Sequence, residues 1–138
     1  MAHEKFRVEV LTPEGEVFND EVEMVSTKTA VGSIGVLAHH EPVLAMLDPT
    51  ELRLYRTESE VVRFAQAEGY MQVGENRALI LVEEAHAPGD LDAASLRDRL
   101  QEAERAVEAA GDDTEKRRVA ERDKERLQTF LTIAESGT

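Results

Sequence analysis

The stretch FRVEVLTPEGEVF, residues 6–18, indicates the fold class of the N-terminal part of the chain. Apolar residues occupy every second position from Phe6 to Val10, with charged residues between them, and this period is typical of a β-strand that buries one face. Residues 12–15, Thr-Pro-Glu-Gly, then supply a turn. The stretch therefore predicts a strand, a turn and a second strand. The inward positions expected after the turn are Val17, Val22 and Met24.

Further short apolar runs continue this pattern through the first two-thirds of the chain. Leu52 and Leu54 alternate with polar neighbours, and residues 61–65 and 78–82 predict buried strands. Turn signals separate the runs at Asp48-Pro49, at Gly69 and at residues 74–76. Many short strands at roughly ten-residue spacing are typical of an antiparallel sandwich or barrel.

The pattern changes after Pro88-Gly89-Asp90. Apolar residues now recur at three- and four-residue spacing, which predicts a helix from Leu91 with Asp90 as its N-cap. Residues 111–114 end this helix and begin a second one over residues 115–134. The apolar positions are Leu96, Leu100, Ala103, Val107 and Ala110 in the first helix and Val119, Ala120, Leu127, Phe130, Leu131 and Ala134 in the second.

The sequence thus predicts a β domain over residues 1–89 and a helical hairpin over residues 90–138. Between Val119 and Leu127 the second helix offers almost nothing to bury, and helices of this polarity are marginal in water on their own. Two interpretations stay open. The hairpin is either docked weakly and free to dock elsewhere, or it has an ordinary solvated face.

Composition excludes several classes of function. The chain has 138 residues and no cysteine, which rules out a disulfide framework, thiolate metal sites and cysteine nucleophiles. Its net charge of −13 argues against general nucleic-acid binding and against adsorption to anionic lipid. Residues 1–89 carry 7 basic and 16 acidic groups, whereas residues 115–126 carry six basic and four acidic groups. The second helix is therefore the locally basic element of an acidic chain.

No arrangement of residues predicts catalysis. The run His39-His40-Glu41-Pro42 lacks a further metal ligand nearby, so it predicts a turn in which one imidazole bonds to the backbone. Residues 32–35 lack the Lys-Ser/Thr of a phosphate loop and predict a hairpin tip or bulge. A signal-peptide pattern and long apolar runs are also missing from the sequence, and we expect a cytoplasmic, non-enzymatic chain.

One pair in the first helix is a candidate ligand site. Asp92 and Arg99 are seven residues apart and share a helix face, about 10.5 Å from each other along the axis. The alternative, which the pattern favours, is an N-terminal acid stabilised by the helix dipole together with an ordinary surface arginine.

The run VGSIGVLAHHEPVLAML, residues 31–47, resembles a characteristic segment of the epsilon subunit of F-type ATP synthase, which is called delta in mitochondria. His40, with Pro42 two positions later, holds the family's histidine place. Three more segments fit the family in order and spacing, namely residues 6–18, 68–73 and 78–92. Four segments in order, followed by a helical hairpin of matching length, make the resemblance specific.

This resemblance implies an α+β fold, with an N-terminal antiparallel β-sandwich of about ten strands followed by a C-terminal two-helix antiparallel hairpin. It implies a non-catalytic subunit of the central stalk that couples rotation of the c-ring to ATP synthesis through the gamma subunit. The hairpin is implied to reach the alpha and beta catalytic subunits and to inhibit ATP hydrolysis. The implied location is peripheral, at the cytoplasmic face of a bacterial cell membrane.

The resemblance also implies partner-binding residues. The loop Ala30, Val31, Gly32, Ser33 and Ile34 matches the tip that contacts the c-ring, although Ser33 stands where relatives often carry a glutamate. His40 and Pro42 lie where relatives face gamma. The basic residues of the regulatory helix, which match those that meet acidic segments of the catalytic subunits, are Lys116, Arg117, Arg118, Arg122, Lys124 and Arg126.

Some relatives bind ATP at the hairpin through an Ile/Leu-Asp-x-x-Arg-Ala pattern. Leu91-Asp92 is present here, but Ser95 replaces the arginine, and a phosphate would therefore lose a bidentate donor. Asp92 and Arg99 remain as nucleotide-binding candidates. We expect weak or absent ATP binding, no other cofactor and no metal.

Two other classes of function are weighed against this one. The first is a free-standing β-sandwich that binds another protein, with the hairpin as an oligomerisation arm, but a coiled-coil arm requires longer heptads than these. The second is a hydrolase or metalloenzyme, for which the sequence offers neither a nucleophile–base pair nor a set of metal ligands.

Overall fold

A computed structural model describes residues 3–136 as ten β-strands, a 3-10 turn and two α-helices. The strands are β1 (Phe6–Thr12), β2 (Gly15–Val22), β3 (Met24–Thr29), β4 (Gly32–Leu37), β5 (Val43–Leu47), β6 (Thr50–Tyr55), β7 (Val61–Gln66), β8 (Gly69–Gly74), β9 (Arg77–Val82) and β10 (Ala85–His86). The 3-10 turn is Pro88–Asp90, and the helices are α1 (Ala93–Ala110) and α2 (Thr114–Ser136). The chain divides into two compact units between Ala87 and Pro88, two residues before the predicted boundary.

The strands form the two layers of a β-sandwich. One layer has the order β10-β7-β6-β3-β4 and the other has the order β5-β8-β9-β1-β2. The bridge from Thr29 to Leu47 joins β3 of the first layer to β5 of the second. Strands β1 and β9 pair in parallel, and the other pairings of the described strands are antiparallel. The predicted sandwich of about ten strands is confirmed.

Alternating side chains from both layers fill the sandwich core. Phe6, Val8 and Val10 are buried at every second position of β1, as the opening stretch predicts. Leu52 and Leu54 of β6 are fully buried, which confirms their predicted inward orientation. The core also contains a buried polar pair. The Thr27 hydroxyl donates a hydrogen bond to Gln66 Oε1 at 2.7 Å. This pairing removes the penalty of burying an unbonded hydroxyl.

Of the three inward positions expected after the turn, Val22 is confirmed, whereas Val17 and Met24 are wrong. The pairing between β1 and β2 shifts register after Val10, and Val17 falls in the resulting bulge, where it is 38% exposed. Phe18 takes the inward position instead of Val17. Met24 is only half-buried, because its neighbour Val25 occupies the core position of β3.

The two runs predicted as buried strands, residues 61–65 and 78–82, are only partly buried in the structure. Residues 78–82 bury every second side chain, and Leu81 is 45% exposed. Within residues 61–65, Ala65 alone is buried. Runs rich in apolar residues are therefore not fully buried in this sandwich.

The first residue of α1 differs from the prediction. Asp92, not Asp90, is the N-cap, and its carboxylate accepts hydrogen bonds from the amides of Ala94 at 3.0 Å and Ser95 at 3.3 Å. Asp90 lies in the preceding 3-10 turn. Gly111, with φ of 54°, ends α1 as predicted, since that conformation favours glycine.

Large apolar side chains are distributed unevenly between the two helices. Leu96 of α1 and Leu127 and Phe130 of α2 are buried, as predicted. Ile133 is buried as well, although the prediction omits it in favour of Leu131 and Ala134, which are half-buried. Nearer the loop between the helices, the buried residues are the small Ala103 and Ala120. Neither helix in the described chain is long and apolar enough to cross a membrane.

Candidate partner-binding surfaces

Residues 30–34 form the tip of the β3–β4 hairpin, which confirms the predicted hairpin. Ala30 and Val31 make the turn, and residues 32–34 begin β4. The Thr29 hydroxyl organises the turn, since it donates to the Gly32 carbonyl at 2.8 Å and accepts from the Val31 amide at 3.2 Å. Gly32 has φ of 137°, a conformation that a side chain would strain. Val31 projects from this ordered turn and is 98% exposed.

A groove of about 490 Å³ lies between the tip and strand β5. Residues 29–34 and 43–46 line it. All of these lining residues are uncharged, in a chain whose net charge is −13. The tip and its groove are thus a local neutral surface suited to small and apolar contacts.

The outer surface of strands β5, β8, β9 and β1 carries apolar side chains in one continuous row. Met46 pairs with Tyr70, and Tyr70 pairs with Leu81. Leu81 in turn pairs with Leu11. Leu44 lies two residues before Met46 and has the same outward orientation. We call Leu11, Leu44, Met46, Tyr70 and Leu81 the outer apolar face.

The outer apolar face is exposed to a degree that is unusual for side chains of this size. The exposed fractions are 72% for Leu44, 61% for Met46, 52% for Tyr70 and 45% for Leu81. Contiguous apolar patches on a protein surface mark sites where another protein docks. The sequence reasoning missed this face, although a signal was present. The runs VLAML in β5 and ALILV in β9 are apolar at both alternating sets of positions, so one set had to face outward.

His40 and Pro42 lie in the loop that leads from β4 into β5. The His40 Nδ1 atom is 2.7 Å from the Glu41 carbonyl oxygen, which confirms the predicted turn with an imidazole bonded to backbone. Pro42 is exposed and directly precedes β5, which bears Leu44. The loop is therefore continuous with the outer apolar face. Within residues 3–136 there is no cluster of three His, Asp or Glu side chains that could hold a metal ion.

The six basic residues of α2 are spread along its first half. Arg118 donates to Glu115 at 2.6 Å, and this hydrogen bond raises the pKa of Arg118 and lowers the pKa of Glu115. Arg117 donates to the Gly111 carbonyl at 3.0 Å and thus also caps the end of α1. Lys116, Arg117, Arg118 and Arg122 are exposed, and Lys124 and Arg126 are half-buried. Exposed ion pairs of this kind contribute little to stability, so partner carboxylates can replace them.

The structure places Asp92 and Arg99 in different settings. The Asp92 carboxylate caps α1, which is the role that the sequence pattern favours for it. Arg99 instead lines a cleft between α1 and α2 together with Asp123 and Arg126. Within the described residues, Asp92 does not line this cleft. Ser95 is exposed on the first turn of α1. The neighbouring Arg97 is held by Glu135 of α2 at 2.9 Å.

Residues 5–88 match the family model described as ATP synthase, Delta/Epsilon chain, beta-sandwich domain. The chain is similar to the ATP synthase epsilon chain of Persephonella marina, with 35% identity over 130 residues that cover 94% of this chain and 96% of the relative. A chain in the Euglena gracilis mitochondrial ATP synthase structure, described as OSCP/F1/c-ring, has a similar fold, with a TM-score of 0.79 and 20% identity over 93% of this chain and 80% of that chain. A chain of the Tetrahymena thermophila mitochondrial ATP synthase, described as central stalk/c-ring, matches with a TM-score of 0.63 and 19% identity over 97% of this chain and 99% of that chain.

Proposed function

The chain belongs to the delta/epsilon family of ATP synthase, and on this premise we propose that it is a non-catalytic central-stalk subunit that couples c-ring rotation to ATP synthesis through gamma. The observation that carries the proposal is similarity along the whole length, since the Persephonella marina epsilon chain is matched over 96% of its residues. A coupling subunit needs surfaces that hold partners rather than a site that binds substrate. The sandwich supplies such surfaces at its outer apolar face and its tip.

The outer apolar face is the surface we assign to gamma. It is broad, and it continues into the loop that bears His40 and Pro42. Burial of Leu44, Met46 and Tyr70 against a second protein would remove from water the largest exposed apolar side chains of β5 and β8. The smaller neutral tip, residues 30–34, is assigned to the c-ring. Because Ser33 carries no charge, this contact would depend on shape and apolar packing rather than on ion pairing.

The hairpin is assigned the regulatory role of inhibiting ATP hydrolysis by the alpha and beta subunits. The small buried side chains near its loop support this role, because they give the two helices little free energy of association there. The basic residues of α2 are mostly exposed, and acidic segments of the catalytic subunits would replace the weak, exposed ion pairs that they make within the helix. Many weak ion pairs would together hold the hairpin against the alpha and beta subunits.

Removal of residues 90–138 from the reconstituted enzyme is expected to raise its ATP hydrolysis about fivefold or more, which is a typical magnitude for regulatory coupling. The assay is steady-state phosphate release with and without membrane energisation. A full-length variant in which Lys116, Arg122 and Lys124 are replaced by glutamine is expected to reproduce part of the rise. Replacement of Glu104 and Glu108 of α1 by glutamine is the matched control and should leave the rate unchanged. Equal hydrolysis rates with and without the hairpin would contradict the inhibitory role and leave the coupling role intact.

ATP is expected to bind weakly or not at all. The Asp92 carboxylate already accepts two backbone amides, and Ser95 offers no bidentate donor to a phosphate. Isothermal titration of the full chain with ATP should give no saturable heat below about 1 mM, a free energy weaker than about 4 kcal/mol. The Ser95→Arg variant is expected to bind more tightly than the unmodified chain. A micromolar dissociation constant for the unmodified chain would overturn the expectation.

The location we propose is peripheral, at the cytoplasmic face of a bacterial cell membrane. The epsilon chain of Persephonella marina supports a bacterial setting. The described helices do not provide a membrane span. We propose that the tip and the outer apolar face attach the chain to the membrane complex through the partner subunits.

A further inference from the structure

Three non-glycine residues with positive φ meet at one end of the sandwich. They are His39 at 63°, Glu75 at 50° and Asn76 at 58°, and among the residues that the structure describes no other non-glycine residue has positive φ. Residues with a β-carbon seldom adopt this left-handed conformation, and they retain it where surrounding contacts hold them. Two of the three belong to one turn and the third to another, and a hydrogen bond joins the two turns.

The first turn lies in the loop that carries His40 and Pro42. The His40 amide donates to the Leu37 carbonyl at 3.2 Å, so residues 37–40 form a β-turn with His39 in its third position. A β-turn with positive φ at this position normally has glycine there. His39 has a β-carbon and lacks that freedom, so contacts from outside its own turn help to hold the conformation.

The second turn supplies the main contact. Glu75 and Asn76 connect β8 to β9 as a two-residue hairpin loop, and Gly74 and Arg77 on either side of them are paired. Two-residue hairpin loops of type I′ have positive φ at both central residues, which asparagine tolerates well. The carboxamide oxygen of Asn76 accepts the His39 amide at 2.8 Å. The His39 imidazole adds a contact of 2.8 Å with the Glu4 carboxylate, in which both side chains are 64% exposed.

We propose that Asn76 is a positioning residue for the gamma-binding loop, because its carboxamide oxygen holds His39 left-handed and thereby orients His40 and Pro42. The proposal rests on the proposed function in one respect, the assignment of this loop to gamma. Without the Asn76 acceptor, the loop would populate other conformations and would have to be ordered when gamma binds. That ordering lowers affinity without any loss of a direct contact.

The variant that isolates this bond is Asn76→Gly, since glycine keeps the positive φ of the hairpin loop and removes only the acceptor. We expect the dissociation constant of the full-length chain for gamma to rise about fivefold to tenfold, with no loss of thermal stability. Asn76→Asp keeps an acceptor oxygen and should bind within about twofold of the unmodified chain. Glu75→Gly also places glycine at a positive-φ position of the same hairpin loop but keeps the Asn76 acceptor. It is therefore the matched control. An unchanged affinity for Asn76→Gly would overturn the proposal.

A second measurement does not depend on gamma. In the free full-length chain, exchange of the His39 amide hydrogen, followed by NMR, should be about tenfold faster in Asn76→Gly than in Glu75→Gly. Equal exchange rates would overturn the positioning role even if affinity fell. Failure of the unmodified chain to bind gamma would instead refute the assignment of the loop to gamma, and the exchange rates would still decide whether Asn76 orders it.

Discussion

Replacement of Met46 by aspartate is expected to weaken binding of the chain to gamma about a hundredfold. Met46 is 61% exposed and lies in the row of the outer apolar face, beside Tyr70. A partner that covers this row would have to bury an unpaired carboxylate at its centre. The sandwich itself should tolerate the change, because the side chain contributes little to the core of the free chain.

The measurement is a dissociation constant for the purified chain and gamma, with thermal unfolding recorded for each variant. Met46→Leu keeps the apolar character and should bind within a few-fold of the unmodified chain. Ser59→Asp introduces the same charge at an exposed position of the β6–β7 loop and should bind normally. If Met46→Asp and Ser59→Asp bind gamma equally well, gamma does not occupy the outer apolar face.

Replacement of Gly69 by alanine is expected to reduce the free energy of unfolding of the sandwich by about 3 kcal/mol. A β-carbon at this position would overlap the Leu81 carbonyl oxygen and would come within 2.7 Å of the Val82 α-carbon. Both obstacles are main chain of the paired strand β9, so no flexible side chain can move aside. The strands would have to separate where β8 begins, next to Tyr70 of the outer apolar face.

Denaturant unfolding of the full chain measures this effect, and Gly74→Ala provides the control. Gly74 ends the same strand, and a β-carbon built there meets no atom within 4 Å. Its substitution should change the unfolding free energy by less than about 1 kcal/mol. Equal stability of the two variants would mean that β8 and β9 can separate without loss. Because the overlap lies beside Tyr70, Gly69→Ala should also weaken binding to gamma.

Local sequence patterns predict the elements of this fold well and their faces less well. The alternation from Phe6 to Val10 identifies both the strand and its buried face, because Arg7 and Glu9 occupy the opposite face of this segment. The alternation gives the wrong orientation for Val17. A bulge there shifts by one residue which side chains point inward, and the sequence contains no signal for the bulge. The N-cap of α1 is predicted two residues early, because Asp90 and Asp92 are equally suitable caps and only the three-dimensional path of the chain distinguishes them.

The partner-binding surfaces, too, are only partly predictable from local sequence. The resemblance selects the tip and the loop with His40, because these lie in continuous sequence. The outer apolar face is assembled from Leu44, Tyr70 and Leu81 on three strands, so it becomes visible only when the strand order is known. The hydrogen bond from His39 to Asn76 joins residues 37 positions apart, and no local pattern reports it.

The uneven packing of the hairpin has a mechanical consequence. Leu96, Phe130 and Ile133 are buried near the end where the hairpin leaves the preceding chain, whereas the apolar residues that line a cleft of about 490 Å³ at the loop end are alanines and Val119. Opening by local unfolding begins where least apolar area is buried, so the helices should part first at their loop and last at their base. Lys116 lies on the first turn of α2 and lines this cleft, so it is at the end of the hairpin where we expect opening to begin. If the hairpin meets an acidic partner, we therefore expect first contact at the loop end and the end that holds Phe130 to open last.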